Sequence, residues 1–116
     1  MTITIWHNPR CSKSRETLAL LQKKGVEPRI REYLKEPPTK AEVAKLIDLV
    51  GGNPHDLIRD SEPEFKTLRK KKVELDKAAI ATAIAACPIL LQRPIVVAGS
   101  RAAIGRPPEA VLSLLS

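Results

Sequence analysis

His7-Asn8-Pro9-Arg10-Cys11-Ser12-Lys13-Ser14-Arg15 joins an alternating segment to a helical one, and the topology follows from that junction. Before it, Thr2 to Trp6 alternates, with Ile3 and Ile5 on one face, as a half-buried strand does. Asn8 and Pro9 favour a turn. After it, Ser14, Leu18 and Leu21 recur at i, i+4 and i+7, so a helix starts near Ser12 and ends at Gly25. Arg29 to Tyr33 reads as a second strand. The result is a βαβ unit, whose two strands should be parallel.

Beyond this unit the pattern turns helical. Pro37-Pro38 punctuates, and Thr39 with Glu42 forms a capping box ahead of the stripe Val43, Leu46, Ile47 and Val50. Asn53-Pro54 opens a short further helix. Residues 62 to 75 are charged and weakly patterned. Asp76 can cap a helix with Ile80, Ala83, Ile84 and Cys87 on one face. Ile95 to Ala98 and Ala102 to Ile104 flank Gly99-Ser100 as a hairpin, and Pro107 starts a last helix carrying Val111, Leu114 and Leu115. The order β-α-β, helices, β-β-α fits an α/β domain with a four-stranded mixed sheet flanked by helices. One domain spans 1–116, with a helical insertion at about 39–90.

Composition narrows the function classes. Hydrophobic residues make up 43% and charged residues 28%, ordinary values for a globular chain. No leader pattern is present, and the longest apolar stretch, Ala78 to Leu91, is interrupted by Thr82 and Pro88 and too short to span a bilayer. Two cysteines are no disulfide framework, so a reducing, cytoplasmic compartment is expected. The net charge of +7 favours anionic partners. Trp6, Tyr33 and Phe65 are too few aromatics for a base-stacking platform, which disfavours nucleic acid. Lys66 to Lys72, with five basic residues in seven, reads as a solvated face, with docking of an acidic redox partner as the alternative.

Cys11 is the candidate nucleophile. A helix start supplies partial positive charge and unpaired N–H groups, and Arg10, Lys13 and Arg15 add cations against the single acid Glu16. Such surroundings bring a thiol pKa from about 8.5 into roughly the 3.5–7.5 range and make the thiolate the reactive form. The bland alternative is an inert turn residue. Ser14, three residues on, either donates its hydroxyl to the thiolate or serves only as a helix-start cap. It occupies the place of the second thiol of a C-x-x-C pair, so no local disulfide can close. Cys87, on an apolar face, fits core packing better than a resolving role. The spacings of His7 and His55 with the cysteines match no metal site. A phosphatase loop would need arginine at position 17, where Thr17 stands. Arg59, Arg93 and Arg106 each lie beside turn or proline punctuation, and the guanidinium fork suits a tetrahedral oxyanion. Arg93 and Arg106 precede prolines and should lie outside helices.

In combination, four groups of residues resemble the glutaredoxin-linked arsenate reductase family over the whole chain. They are His7-Asn8-Pro9-Arg10-Cys11 with Ser14-Arg15, Tyr33-Leu34 before Pro37-Pro38-Thr39, Leu57-Ile58-Arg59, and Arg93-Pro94-Ile95-Val96-Val97 followed by Ile104-Gly105-Arg106-Pro107. The small branch with Cys-Ser-Lys-Ser-Arg is most similar. Better-known members have Gly-Thr in place of Ser12-Lys13 and extend further at the C-terminus. The resemblance implies a thioredoxin-like fold, Cys11 as nucleophile, and Arg59, Arg93 and Arg106 as ligands of the anion. His7 and Ser14 would shape the thiol's surroundings, and Pro94 would be the cis-proline beside it. It further implies arsenate or a similar oxyanion as substrate, glutathione as co-substrate, glutaredoxin as electron donor and no bound cofactor or metal. A monomer is the expected state. Two other readings compete: a thiol reductase for another substrate, and an Spx-like redox regulator that binds RNA polymerase.

Overall fold

Ile3 and Ile5 on one face and the buried Trp6 on the other fix the first strand, β1 (Ile3–His7), in the middle of a four-stranded sheet ordered β2-β1-β3-β4. The structure, a computed structural model, describes residues 2–59, 61–66 and 76–115. The other strands are β2 (Arg29–Glu32), β3 (Ile95–Ala98) and β4 (Arg101–Ile104). β2 runs parallel to β1, whereas β3 is antiparallel to both β1 and β4, so the sheet is mixed as the element order requires. Helix α1 (Ser12–Lys23) connects the parallel pair. With 3₁₀ segments and helices completing it, the chain has the expected thioredoxin-like α/β fold.

The chain divides into two compact units, residues 1–36 with 93–116, and residues 37–92. The first holds the sheet. Ile5, Leu21, Val96, Ala98, Val111 and Leu114 are its buried cluster, joining α1, the central strands and the C-terminal segment. On the other face Trp6 is buried under Arg31, its cross-strand partner, whose Cζ lies 4.4 Å from the ring centroid. β2 is an edge strand, and Ile30 on it is about half exposed. The β3–β4 turn uses Gly99 at φ +62°, a conformation other residues rarely adopt.

The last element differs from the expected helix. Pro108–Leu115 is 3₁₀, starting one residue after the expected Pro107, and Val111 and Leu114 are buried while Leu115 is only partly covered. The tighter helix eclipses residues three apart, so Pro108, Val111 and Leu114 share the buried face.

In the second unit the capping box forms as read: Glu42 N donates to Thr39 Oγ1 at 3.1 Å and Thr39 N to Glu42 Oε1 at 3.0 Å. Helix α2 (Lys40–Val50) buries Val43, Leu46 and Ile47, and packs on α3 (Lys77–Ala86). Asp76 caps α3 through Oδ1, which accepts from Ala79 N at 2.8 Å. Asn53 caps a 3₁₀ turn at Pro54–Leu57. The basic stretch 66–72 lies, Lys66 apart, outside the described residues.

Candidate active site

Strand direction gathers the site. β1 ends at His7, and the parallel β2 ends beside it, in a register that pairs His7 with Glu32. β3 is antiparallel, so it begins where β1 ends, and Trp6 pairs with Ile95. β4 then returns to the same edge, where Ile95 pairs with Ile104. Four chain positions therefore meet at one end of the sheet: the loop 8–11, Tyr33, Arg93-Pro94 and Gly105-Arg106. The carboxyl ends of parallel strands are the usual place for a site.

The loop is held by its own hydrogen bonds. Asn8 organises it: its carbonyl accepts from Cys11 N at 3.0 Å and its Oδ1 from Arg10 N at 3.0 Å. Arg15 Nη1 donates to the Pro9 carbonyl at 2.9 Å, tying the loop to the first turn of α1. Cys11 is thereby fixed as the N-cap residue of α1 in extended conformation, with its side chain largely buried.

The electrostatics favour the thiolate. Burial opposes ionisation, but the Ser14 N–H, the Arg93 guanidinium and the Lys13 N–H outweigh it and hold the Cys11 pKa below its ordinary value. Arg106 reaches the sulfur directly, with Nη2 3.6 Å from Sγ, while its Nε donates to the Arg93 carbonyl at 2.8 Å. The structure thus brings Arg93 and Arg106 to Cys11. The Arg93–Pro94 peptide bond is cis, as the resemblance implied, and so is Arg106–Pro107.

Ser14 acts through a different group. Its hydroxyl is buried and lies 2.7 Å from His7 Nδ1, and it accepts from Asn8 N at 3.1 Å. The hydroxyl bridges the strand and the loop, and the backbone N–H of Ser14 is what faces the thiolate. The donation of the hydroxyl to sulfur considered above is therefore corrected: two nearer partners hold the oxygen. Burial lowers the His7 pKa, Glu32 opposes this and Arg15 adds to it, leaving the ring neutral at neutral pH. A neutral ring suits the serine contact, since Nδ1 can accept the hydroxyl proton.

Arg59 belongs to the second unit, and its described contacts lie there: Nε donates to Glu62 Oε1 at 3.0 Å and Nη1 to Gln92 Oε1 at 3.1 Å. Cys87 ends α3, half-buried, and burial followed by the charge of Glu64 raises its pKa, the opposite of Cys11. Both cysteines are free. Among the described residues no group of three or more His, Cys, Asp or Glu could hold a metal ion, and no helix is long and apolar enough to cross a membrane.

Residues 6–114 match the model of the ArsC family. The chain belongs to the ArsC family. An arsenate reductase of Haemophilus influenzae is 40% identical over 116 residues, covering 99% of this chain and 100% of that one. YfgD of Escherichia coli, an uncharacterized protein, is 45% identical over 114 residues, covering 97% and 96%. Among solved structures, an arsenate reductase from Vibrio cholerae superposes with a TM-score of 0.91 at 42% identity, covering 98% of each chain.

Three residues of this ArsC-family site had no assigned role in the sequence reading. Asn8 could have been suspected from its place in the turn, since asparagine bonds its own following backbone. Gly105 is required by a close approach: a Cβ there would lie 2.6 Å from Thr17 Oγ1 and 2.7 Å from Pro94 Cγ. Its N–H donates to the Pro94 carbonyl at 2.9 Å, so the end of β4 is laid against the base of the site. Tyr33 is completely buried at the end of β2, where only the parallel register reveals that it stands level with the loop.

Proposed function

We propose that this chain reduces arsenate to arsenite, with Cys11 as nucleophile and with glutathione and glutaredoxin as the source of electrons. The observation that carries the reading is the Cys11 sulfur facing Arg106 Nη2 at 3.6 Å, with Arg93 favouring its thiolate, at the start of a helix. A nucleophile of depressed pKa between two guanidinium groups suits attack on a tetrahedral anion, because the cations offset the repulsion between thiolate and oxyanion. The arsenate reductases among its relatives supply the choice of arsenic.

The Cys11 thiolate attacks arsenic; an S–As bond forms as an As–O bond breaks, and the oxygen leaves as water after protonation. Glutathione thiolate then attacks the Cys11 sulfur. The S–As electron pair remains on arsenic, which passes from As(V) to As(III) and leaves as arsenite, while Cys11 and glutathione form a mixed disulfide. A glutaredoxin thiolate takes the glutathionyl sulfur and releases Cys11 as thiolate, the better leaving group for its low pKa. Ser14 cannot act as a resolving thiol, which is why the second electron carrier must come from outside. Both donors belong to the reducing cytoplasm, where the chain would act as a monomer.

Arsenate-dependent NADPH oxidation with glutathione, glutaredoxin and glutathione reductase tests this. Activity is expected in the wild type and none in Cys11→Ser. Omitting glutaredoxin should remove turnover. A wild-type protein with a reactive thiol but no arsenate-dependent oxidation would refute the reading, and turnover without glutaredoxin would refute its donor.

A further inference from the structure

One polar group beside the thiol has no place in the mechanism above. Tyr33 follows β2 directly, and the pairing of His7 with Glu32 sets it level with Asn8, the residue that organises the cysteine loop. Its side chain is completely buried. Its hydroxyl makes no hydrogen bond of good geometry among the described residues. Such a group bears an uncompensated loss of hydration. Phenylalanine would fill the same space without that loss, so the oxygen needs a use.

The groups around it define the use. Strand register brings Arg93-Pro94 and the Asn8 loop to the same end of the sheet as Tyr33, and Arg93, Asn8 and Cys11 are the groups that act electrostatically on the phenol. Arg93 is also the side chain that most favours the Cys11 thiolate. Its Nε and Nη1 are buried, so its orientation has to be set by the protein and not by water. We propose that Tyr33 is a positioning residue for Arg93: its oxygen accepts from the guanidinium as Arg93 engages the thiolate and the incoming oxyanion, fixing the direction from which that charge is delivered. Burial pushes the Tyr33 phenol above its ordinary value, so the hydroxyl stays protonated through the neutral range. The oxyanion part rests on the arsenate reading; the thiolate part does not.

Tyr33→Phe removes the oxygen and keeps the shape. Thermal unfolding should shift little, because the phenylalanine ring fills the same buried space. The pH profile of Cys11 alkylation should move to higher pH, with a thiolate population below the midpoint reduced about two- to tenfold, the range one hydrogen bond commands. The KM for arsenate should rise by a similar factor. In an Arg93→Ala background the same change should have no effect on the Cys11 profile. A wild-type profile in Tyr33→Phe overturns the proposal, as does an undiminished effect once Arg93 is gone. If the wild type fails to turn over arsenate while the profile responds as stated, the arsenate reading falls and the positioning role stands.

Discussion

Arg93→Ala should weaken the Cys11 thiolate more than Arg106→Ala, even though Arg106 Nη2 stands within 3.6 Å of the sulfur. Arg106 is exposed, and water screens its charge. Coulomb's law gives about 1 kcal/mol for charges about 4 Å apart in water and about 4 kcal/mol at an effective dielectric of about 20; the exposed pair belongs near the lower figure. Arg93 has its Nε and Nη1 buried and is the leading side-chain cause of the depressed thiol pKa. A hydrogen bond to a charged group is worth roughly 1.5–3 kcal/mol, a roughly tenfold to hundredfold loss of thiolate at any pH below the midpoint. The measured rate should fall less. A more basic thiolate is more nucleophilic, with a Brønsted coefficient of about 0.4–0.5, so alkylation near neutral pH slows roughly three- to tenfold while the alkaline plateau rises by a similar factor. The assay is the second-order rate of iodoacetamide alkylation against pH, in a Cys87→Ala background to silence the second thiol. Crossing profiles are the expected signature. An unmoved midpoint in Arg93→Ala, or a larger movement in Arg106→Ala, would refute the reasoning.

Ser14→Ala strips the buried His7 ring and the Asn8 N–H of a shared partner, and should lower stability by about 1–3 kcal/mol, read from the urea midpoint; an unchanged midpoint would deny the bridge. Gly105→Ala puts a methyl group 2.6 Å from Thr17 Oγ1 and 2.7 Å from Pro94 Cγ, which should cost about 1–3 kcal/mol and slow Cys11 alkylation as Arg93-Pro94 shifts; full stability would show that β4 yields freely. Arg59→Ala should reduce arsenate turnover, as the family resemblance implies, and a wild-type rate would remove it from the anion-binding set. Stability should also depend on pH through two groups. The folded His7 pKa is below its ordinary 6.5, so its contribution is present above 6.5 and lost as pH falls through the folded value. The folded Cys11 pKa is below its ordinary 9.0, so its contribution is complete above 9.0 and lost as pH falls through the folded value. Denaturation midpoints of wild type and Cys11→Ser should therefore diverge toward alkaline pH, and parallel curves would count against a stabilised thiolate.

How much of this was legible in the sequence depends on how local each signal is. The capping box at Thr39, the stripe Val43, Leu46 and Ile47, and the Asp76 cap all involve residues within a turn or two of one another, and all stand where the pattern placed them. The hairpin about Gly99-Ser100 is equally local, and it only gained Arg101 at the start of β4. The C-terminal segment shows the limit. Val111 and Leu114 are three apart, a spacing that serves an α-helix and a 3₁₀-helix alike, so the apolar pattern located the element without deciding its pitch.

The site divides along the same line. Cys11 could be read because part of its activation, the Ser14 and Lys13 N–H groups, comes from its own helix start, which travels with it in sequence. Arg93 and Arg106 stood out by their proline neighbours, but only the resemblance placed them beside Cys11, for nothing in their own neighbourhoods says that β3 begins where β1 ends. Tyr33 and Gly105 were harder still, since one matters through parallel register and the other through a Cβ it lacks. Ser14 shows how a correct position can carry the wrong atom. Three residues past the thiol, either its hydroxyl or its N–H could face sulfur, and the choice fell to His7, seven residues upstream, whose neutral ring holds the hydroxyl. The consequence for the chemistry is direct: a backbone N–H in the first turn of a helix survives every side-chain substitution except proline, and the helix holds it in line. Thiolate stabilisation from that side is therefore built into the fold, and the variable part of the site is the pair of arginines opposite it.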